Sequence, residues 1–269
     1  MLILLLLSYT PRSETEYFTS YTANYFLENM KECYPNTRAS PLRIIDLCTG
    51  TGCILLFLHA LFAPCFPRIS LIGVDSNSEA VDLARKNIKY NIRLGLLPER
   101  SISEIRFQQG DVLSQHSMEE VISGYLSELN QDLQEEIGCD ILISNPPYIS
   151  STAFRNGTTA RSVRIFEPKN ALVPPEGLHN NSSTGGLFDE DLFYHYIVPL
   201  SLKLPARLTV LECCDHSQAC RVAMLCRSMV DQRQTSQALI QVWSSQGLES
   251  YIPGSNGADS PHAVVMQLM

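Results

Sequence analysis

The stretch LRIIDLCTGTGC, residues 42–53, decides the fold. Its apolar first half ends at Asp46, a turn that contains Gly50 and Gly52 follows, and residues 53–62 are apolar over the length of a helix. An apolar run of strand length, a glycine turn and a helix-length segment predict a strand, a tight turn and a helix. This order of elements is the repeating unit of a parallel α/β sheet.

The same alternation continues along the chain beyond this unit. Short apolar runs bounded by turn residues predict strands, and longer segments with apolar residues at helical spacing predict helices. Predicted strands cover residues 42–47, 69–74, 104–108, 140–144, 207–212, 239–243 and 263–268, and predicted helices cover residues 14–30, 53–62, 78–92, 117–136, 191–202 and 217–230. We therefore predict an α/β fold with a mostly parallel seven-stranded sheet that is covered by helices on both faces.

The domain organisation follows from the position of the first strand. Residues 1–40 are predicted to form a lead-in strand and helix, and residues 41–269 to form one domain. The opening MLILLLLS, residues 1–8, lacks a basic region and is too short to span a bilayer, so we interpret it as an extended lead-in. The polar segment 150–190 is long for a loop in a compact domain, and such loops are usually functional or mobile.

Composition limits the classes of function. The chain has 269 residues, of which 45% are hydrophobic and 18% charged, and this is enough for one sizeable core. A net charge of −8 argues against a surface that grips the phosphates of nucleic acid, because such surfaces need clustered Lys and Arg. The nine cysteines form no CxxC pair and no regular framework, so we predict a reducing compartment and no metal site.

The turn after the first strand predicts a nucleoside-binding site. Glycines let the backbone approach a ligand closely, and the acidic residue at the end of the next strand, Asp75, can accept both hydroxyls of a ribose. Asp46, Asp75 and Asp111 follow three successive predicted strands, at the edge where such sheets bind ligands. The turn lacks the third glycine of the dinucleotide motif and fits better the loop of S-adenosylmethionine enzymes, whose ligand has no pyrophosphate. A turn without a ligand is the alternative.

A second motif follows the strand at residues 140–144. In ILISNPPYIS, residues 141–150, two prolines end the strand and stiffen the backbone after it, because proline donates no N–H and fixes φ. Asn145 offers one acceptor and two donors, and Tyr148 offers a flat ring with a hydroxyl. Together these groups could hold a small planar group that bears NH₂. The alternative is a loop that begins with two prolines and packs a tyrosine.

Seven motifs, taken in order, resemble those of the HemK/PrmC methyltransferases. They are PRSETE (11–16), DLCTGTGC (46–53), VDSN (74–77), GDVL (110–113), NPPYI (145–149), FEPKNALV (166–173) and LE followed by Gln218. The match covers nearly the whole chain. NPPY is shared with adenine-N6 and other amino-group methyltransferases, whereas PRSETE and FEPKNAL are more selective. The resemblance implies a Rossmann-like class I S-adenosylmethionine-dependent methyltransferase domain over residues 41–269.

The resemblance also implies a reaction and a partner. Members of this family methylate the side-chain amide nitrogen, N5, of the glutamine in the Gly-Gly-Gln loop of peptide chain release factors. We therefore expect S-adenosyl-L-methionine as the cofactor, a release factor as the partner and no membrane association. RSVRIFEPKNALVPP, residues 161–175, is similar to the fungal mitochondrial branch, which implies a mitochondrial location, with the cytoplasm as the alternative.

Site residues follow from the resemblance position by position. The substrate-binding positions fall on Asn145, Pro146, Pro147 and Tyr148, of which Asn145, Pro146 and Tyr148 are expected to be catalytic. For Arg12 and Glu167 we expect structural roles, with Arg12 and Glu14 or Glu16 bracing a lid over the cofactor. The cofactor-binding positions are Asp46, Cys48, Thr49, Gly50, Thr51, Gly52, Asp75, Asp111, Val112 and Asn145.

Two features depart from the family pattern and keep other functions open. A helical domain that docks the release factor precedes PRSETE in the family and is reduced here to a remnant, and Cys213, Cys214 and Asp215 replace a glycine usual after LE. One alternative is an N6-adenine methyltransferase that flips a DNA or RNA base into the same NPPY pocket. The acidic composition and FEPKNAL argue against it. The other alternative is a fragment that binds cofactor and methylates little.

Overall fold

The computed structural model describes residues 13–30, 41–130, 138–176, 188–233, 237–244, 247–249 and 262–269. The predicted lead-in at residues 1–8 and the expected lid residue Arg12 lie outside these ranges. Residues 177–187 of the polar segment and the predicted end of one helix at residues 131–136 also lie outside them.

One sheet of eight strands forms the centre of the described part of the chain. Its strands are β1 (Leu42–Leu47), β2 (Ile69–Asp75), β3 (Ile105–Gln109), β4 (Ile141–Ser144), β5 (Leu208–Cys213), β6 (Ala238–Ser244), β7 (Gly247–Glu249) and β8 (His262–Leu268). They lie across the sheet in the order β3-β2-β1-β4-β5-β8-β6-β7. The seven predicted strands are confirmed, and β7 is a short addition at the edge.

Strand direction divides the sheet into two parts. β1 to β5 run parallel to their neighbours. β8 runs antiparallel to both β5 and β6, and β7 runs antiparallel to β6. Every residue of β1, β4 and β5 is buried, as expected for strands that are covered on both faces and therefore read as continuous apolar runs.

Helices cover both faces of the sheet. They are α1 (Ser13–Asn29), α2 (Cys53–Phe62), α3 (Ser78–Arg93), α4 (Ser101–Glu104), α5 (Gln115–Asn130), α6 (Ser151–Asn156), α7 (Arg161–Phe166), α8 (Tyr194–Lys203) and α9 (His216–Arg233). One core cluster joins α1, α2 and α3 to one face, and a second joins α5, α8 and α9 to the other. None of the helices in the described ranges is long and apolar enough to cross a membrane.

The helix α1 is part of the core and does not merely lead into it. Phe26 is fully buried, and its ring meets the Phe62 ring edge-on with centroids 5.6 Å apart. Tyr21 packs edge-on against Trp243 of β6 at 4.5 Å, and the Tyr25 hydroxyl donates to Gln267 of β8 at 2.7 Å. The predicted helix at residues 14–30 is therefore confirmed. It packs against α2 and against the late strands β6 and β8.

Three short helices were not predicted, and one helix begins later than predicted. The helices α4, α6 and α7 are four to six residues long, which is too short for apolar periodicity to reveal them. The Ser150 side chain caps α6 by accepting the backbone N–H of Ala153. The helix predicted at residues 191–202 begins at Tyr194, because Asp189–Asp191 form a separate 3-10 turn.

Candidate active site at the carboxyl end of the sheet

A cavity opens where β1, β2, β3 and β4 end, which is the edge at which parallel α/β sheets bind ligands. Its wall combines the loop after β1, the ends of β2 and β3, the NPPY motif after β4 and the stretch that follows α7. The lining residues are Thr15, Cys48, Thr49, Gly50, Thr51, Cys53, Ile54, Asp75, Ser76, Asn77, Gly110, Asp111, Val112, Asn145, Pro146, Pro147, Tyr148, Ile149, Glu167, Asn170, Ala171, Leu172 and Phe193.

The loop after β1 is shaped by left-handed backbone. Cys48 has φ 59° and Gly50 has φ 54°, so the chain turns sharply between the strand and α2. The backbone N–H of Thr49 donates to the Val74 carbonyl at 3.0 Å, which ties the loop to the end of β2. A Cβ at Gly50 would meet no protein atom within 4 Å, so the backbone there is open to a ligand.

Asp75 sits at the centre of the cofactor side of the cavity. Its carboxylate accepts the backbone N–H of Gly50 at 2.8 Å and that of Asn77 at 2.9 Å. Burial raises the pKa of Asp75 above its ordinary value, although these two hydrogen bonds lower it. The carboxylate thus holds the loop in place and also lines the cavity, and its role as a ribose-binding acid stays a prediction.

Asp46 does not line the cavity, although it was predicted to bind the cofactor directly. It is completely buried, and the Thr49 hydroxyl donates to its Oδ2 at 2.5 Å. Burial raises the pKa of Asp46 to about 8, with a further contribution from the charge of Asp75. Its position therefore supports the loop from beneath, one layer behind the cavity wall.

Gly52 also lies outside the cavity wall, and its small size serves packing. It has φ 78°, and a Cβ at this position would lie 2.4 Å from Cζ of Phe107. Of the predicted cofactor positions, Cys48, Thr49, Gly50, Thr51, Asp75, Asp111, Val112 and Asn145 line the cavity.

The NPPY motif forms another part of the cavity wall. All four of its residues line the cavity. The backbone carbonyl of Tyr148 accepts from Gln218 Nε2 at 3.3 Å, and the N–H of Ile149 donates to the Leu172 carbonyl at 2.8 Å. Tyr148 is only 5% exposed, and its hydroxyl donates to Oε1 of Glu212 at 3.2 Å. The motif is thus held from behind by β5, α9 and the stretch after α7.

Sequence reasoning missed one residue of this wall, Thr15, and one that lies behind it, Glu212. Thr15 of α1 lines the cavity, and its hydroxyl donates to both carboxylate oxygens of Glu212, at 3.2 and 3.0 Å. Asn145 Nδ2 in turn donates to Thr15 Oγ1 at 3.2 Å. Both residues lie in stretches that carry the family resemblance, PRSETE and LE, so the signal was present but gave no role to either.

Gln218 connects this wall to the turn before α8. Its Nε2 donates to the carbonyl of Glu190 at 3.2 Å and to Oδ1 of Asp191 at 3.0 Å. Arg221 donates from Nε to Oδ2 of Asp191 at 2.5 Å. Its guanidinium also lies 4.2 Å from the centre of the Phe188 ring. Gln218 therefore binds the backbone of the NPPY motif and the backbone of the turn before α8.

The FEPKNAL stretch contributes the outer part of the wall. Glu167 lines the cavity, so the structural role expected for it coincides with a place at the site. Phe166, beside it, is 67% exposed. Of the acidic residues expected to brace a lid, Glu16 is exposed and Glu14 is half-buried.

The residues of the cofactor side fit the nucleoside part of S-adenosyl-L-methionine. Asp75 supplies a fixed acceptor for ribose hydroxyls, and the backbone at Gly50 is open to a ligand. Val112, 5% exposed, adds an apolar surface next to the polar end of β3, where Asp111 is held by the N–H of Leu113. Sites that bind a nucleoside typically combine a carboxylate, an open glycine backbone and an apolar side chain.

Comparison with known proteins supports the resemblance. No protein-family model matches the chain. The Schizosaccharomyces pombe protein named probable MRF1 mitochondrial N(5)-glutamine methyltransferase mtq1 is 37% identical over 140 residues, which are 52% of this chain and 38% of that protein. The Saccharomyces cerevisiae mitochondrial MRF1 N(5)-glutamine methyltransferase MTQ1 is 31% identical over 157 residues, 58% of this chain and 41% of that protein.

A bacterial relative extends the comparison. The release factor glutamine methyltransferase of Pasteurella multocida is 30% identical over 170 residues, 62% of this chain and 46% of that protein. The chain therefore spans less than half the length of each of these three relatives.

Solved structures of human METTL16 share the fold. Its N-terminal domain in complex with SAH has a TM-score of 0.51 at 14% identity, covering 96% of this chain and 72% of that one. Its catalytic domain in complex with a MAT2A 3′UTR hairpin has a TM-score of 0.52 at 16% identity, covering 99% and 74%. At such identities the likeness shows the fold alone, and that fold is the Rossmann-like class I methyltransferase fold. Over the residues matched by the curated relatives, the chain is similar to the release factor glutamine methyltransferases, and this similarity supports the resemblance to the HemK/PrmC family.

Proposed function

We propose that this chain transfers a methyl group from S-adenosyl-L-methionine to the side-chain amide nitrogen, N5, of the glutamine in the Gly-Gly-Gln loop of a peptide chain release factor. The observation that carries the proposal is a shared cavity. Asp75, the loop with Gly50, Asn145 and Tyr148 all line this one cavity. Groups suited to a nucleoside and groups suited to a planar amide thus share one space.

The chemistry follows from the needs of an amide nitrogen. Its lone pair is delocalised into the carbonyl, so it is a poor nucleophile. Asn145 Oδ1 and the Pro146 carbonyl each accept one N–H, which leaves the lone pair directed at the methyl group. These two acceptors also stabilise the positive charge that develops on nitrogen, so they act on the transition state more than on binding.

The remaining residues of the motif position these acceptors. Pro146 and Pro147 limit the backbone to few conformations, so the acceptors are held in advance of substrate binding. The hydroxyl of Tyr148 is bound to Glu212, which keeps the ring in one orientation beside the amide. S-adenosyl-L-methionine supplies the electrophilic methyl group on its sulfonium when bound. No strong base is required, because a methylated, protonated amide loses its proton readily.

The test is transfer of radiolabelled methyl from S-adenosyl-L-methionine to a mitochondrial release factor. Two further substrates are compared: the same release factor with Gly-Gly-Ala in place of Gly-Gly-Gln, and an adenine-rich oligonucleotide. We expect label on the unaltered release factor alone. Label on the oligonucleotide would move the function to nucleic acid, and cofactor binding without any label would favour a chain that binds cofactor only.

We also propose a mitochondrial location, which is supported by two relatives whose names place them in mitochondria. Fractionation of cells that express the full protein tests it. Recovery in the mitochondrial matrix fraction is expected, and recovery in the cytosol alone would overturn it.

A further inference from the structure

A buried carboxylate lies behind the acceptor wall, in contact with two hydroxyl groups. Glu212 is the fifth residue of β5 and is 4% exposed. The hydroxyl of Thr15 lies 3.2 Å from its Oε1 and 3.0 Å from its Oε2, and the hydroxyl of Tyr148 lies 3.2 Å from Oε1. Thr15 belongs to α1 and Tyr148 to the loop after β4, and Glu212 joins them.

Donor and acceptor roles in this cluster are set by chemistry. Both hydroxyls donate to the Glu212 carboxylate, and a hydroxyl has a single proton to donate. Thr15 therefore directs its proton to Glu212 and offers a lone pair in other directions. Asn145 lies 3.2 Å away on that other side, and an oxygen lone pair binds the NH₂ end of an amide and not its oxygen.

We infer that Thr15 and Glu212 are positioning residues. They determine which end of the Asn145 amide, Oδ1 or Nδ2, faces the substrate nitrogen that receives the methyl group. This inference rests on the proposed function. The two ends of an asparagine amide have nearly the same shape, so packing alone does not choose between them. Thr15 donates to Glu212 and accepts from Nδ2 of Asn145, so the hydrogen bonds select one orientation of the amide. In that orientation Oδ1 is left for a bound NH₂ group.

The choice matters because the substrate group brings donors. An NH₂ group that meets Oδ1 gains an acceptor, whereas one that meets Nδ2 faces a second donor and loses the hydrogen bond. Thr15 can hold this orientation because α1 is itself fixed: Phe18 is 2% exposed, and the Thr19 hydroxyl donates to the Thr15 carbonyl at 2.6 Å.

Two substitutions of Thr15 test the inference, with a third in the same helix as a matched control. Thr15→Val keeps the shape and removes the hydroxyl, and Thr15→Ser restores it. Thr22→Val removes a buried hydroxyl that bonds only within α1 among the described contacts, to the Phe18 carbonyl at 2.7 Å. Turnover, KM for the release factor, affinity for S-adenosyl-homocysteine and melting temperature are measured for all three.

We expect Thr15→Val to lower kcat by about 10- to 100-fold, because each tenfold corresponds to one lost or mismatched hydrogen bond of ordinary strength. Its affinity for S-adenosyl-homocysteine should match that of Thr22→Val, and its melting temperature should stay well above the assay temperature. Thr15→Ser should recover most of the lost turnover. Equal kcat in Thr15→Val and Thr22→Val would overturn the inference, as would a loss that Thr15→Ser does not recover.

A substitution of Glu212 tests the polarity itself. In Glu212→Gln, the new amide can donate to Thr15, and the Thr15 proton is then able to turn toward Asn145. We expect a loss of kcat similar to that of Thr15→Val, and an additional loss below twofold when both changes are combined, because they act on one network. Losses that multiply in the double variant would contradict a shared role.

A measurement without turnover separates this inference from the proposed function. With asparagine labelled in its side-chain nitrogen, the Asn145 NH₂ signals are identified by their absence in Asn145→Ala. Their hydrogen exchange should be slow in the unaltered protein and in Thr15→Ser, and faster in Thr15→Val. Unchanged exchange in Thr15→Val would overturn the inference even if methylation is confirmed. A protein that methylates no release factor but shows the expected exchange would overturn the proposed function alone.

Discussion

At the scale of single residues, Cys48 stands in a conformation that suits glycine. Its φ of 59° places a side chain where L-residues lose of the order of 1 kcal/mol. The strain lies in the loop that lines the cavity, so the loop's shape is maintained by its neighbours and not by its own preference. The hydrogen bonds from the loop to Val74 and Asp75 provide that support.

A pair of substitutions at Cys48 tests this strain. Cys48→Gly should leave the free energy of unfolding within about 1 kcal/mol, because relief of strain offsets the greater freedom of the unfolded chain. Cys48→Val should lower it by about 1–3 kcal/mol, because a branched side chain tolerates positive φ poorly. Urea unfolding of the three proteins measures the difference, and equal stability of the Gly and Val variants would contradict the strain.

Asn145 is the residue on which the proposed chemistry depends most. Asn145→Ala removes the side-chain acceptor, so we expect kcat to fall by about 100-fold or more. Affinity for S-adenosyl-homocysteine should change by less than about threefold, because Asp75 and the loop after β1 hold the nucleoside without it. Steady-state kinetics and calorimetric titration measure the two quantities, and equal losses in both would count against the role of Asn145.

The sequence predicted the parts of the site that are contiguous in the chain. The loop with Gly50 and the motif with Asn145 each carry several cavity residues within a few positions. Their residue types and spacing were therefore enough to predict a binding site. The contact between Thr15 and Glu212 joins residues 197 positions apart, and only the packing of α1 against the sheet brings them together. Asp46 was predicted on the same strand-end pattern as Asp75, but Asp46 lies level with Gly73, two residues before the end of β2, and its own loop covers it.

At the scale of elements, α4 shows how a short helix fastens a longer one. Arg100, next to α4, donates to the carbonyls of Ala63 and Pro67 at 2.7 Å and of Phe66 at 3.0 Å, all just beyond the end of α2. It also donates to Glu104 at 3.0 Å. These carbonyls belong to the turn that follows α2, so one guanidinium satisfies three acceptors of that turn. The sequence did not predict α4 because four residues are too few for an apolar periodicity, and Arg100 precedes the helix.

Arg100→Ala tests this fastening. We expect the free energy of unfolding to fall by about 2–3 kcal/mol, because several charge-assisted hydrogen bonds to partly buried carbonyls are lost together. Arg227→Ala, at an exposed position of α9, is the matched control and should change stability by less than about 0.5 kcal/mol. Similar small effects of both substitutions in urea unfolding would show that the carbonyls are satisfied by water.

At the scale of the whole molecule, the buried Asp46 makes stability depend on pH. Its pKa rises from an ordinary value of 3.8 to about 8 in the folded protein. Between those values the folded state holds a proton that the unfolded chain has released. The free energy of unfolding therefore falls as pH rises through this window and levels off above it.

Asp46→Asn removes this titration and keeps the size of the side chain. The stability of the unaltered protein relative to Asp46→Asn should fall by up to about 1.4 kcal/mol per pH unit between pH 5 and 7. Burial lowers the pKa of His59, so this residue makes the free energy of unfolding rise with pH near and below pH 6.5. The effect is present in both proteins and cancels in the difference between them. Urea unfolding at pH 5, 6, 7 and 8 makes the measurement, and parallel curves would refute the assignment.

The place of β8 in the sheet dictates an order of events during synthesis. β8 follows β6 and β7 in the chain but lies between β5 and β6. While the chain emerges from the ribosome, β1 to β5 are complete early, and β6 can pair with β7 but is not yet joined to β5. The edge of β5 therefore stays open until residues 262–268 leave the exit tunnel, and this edge is where a nascent chain of this protein most needs protection by a chaperone.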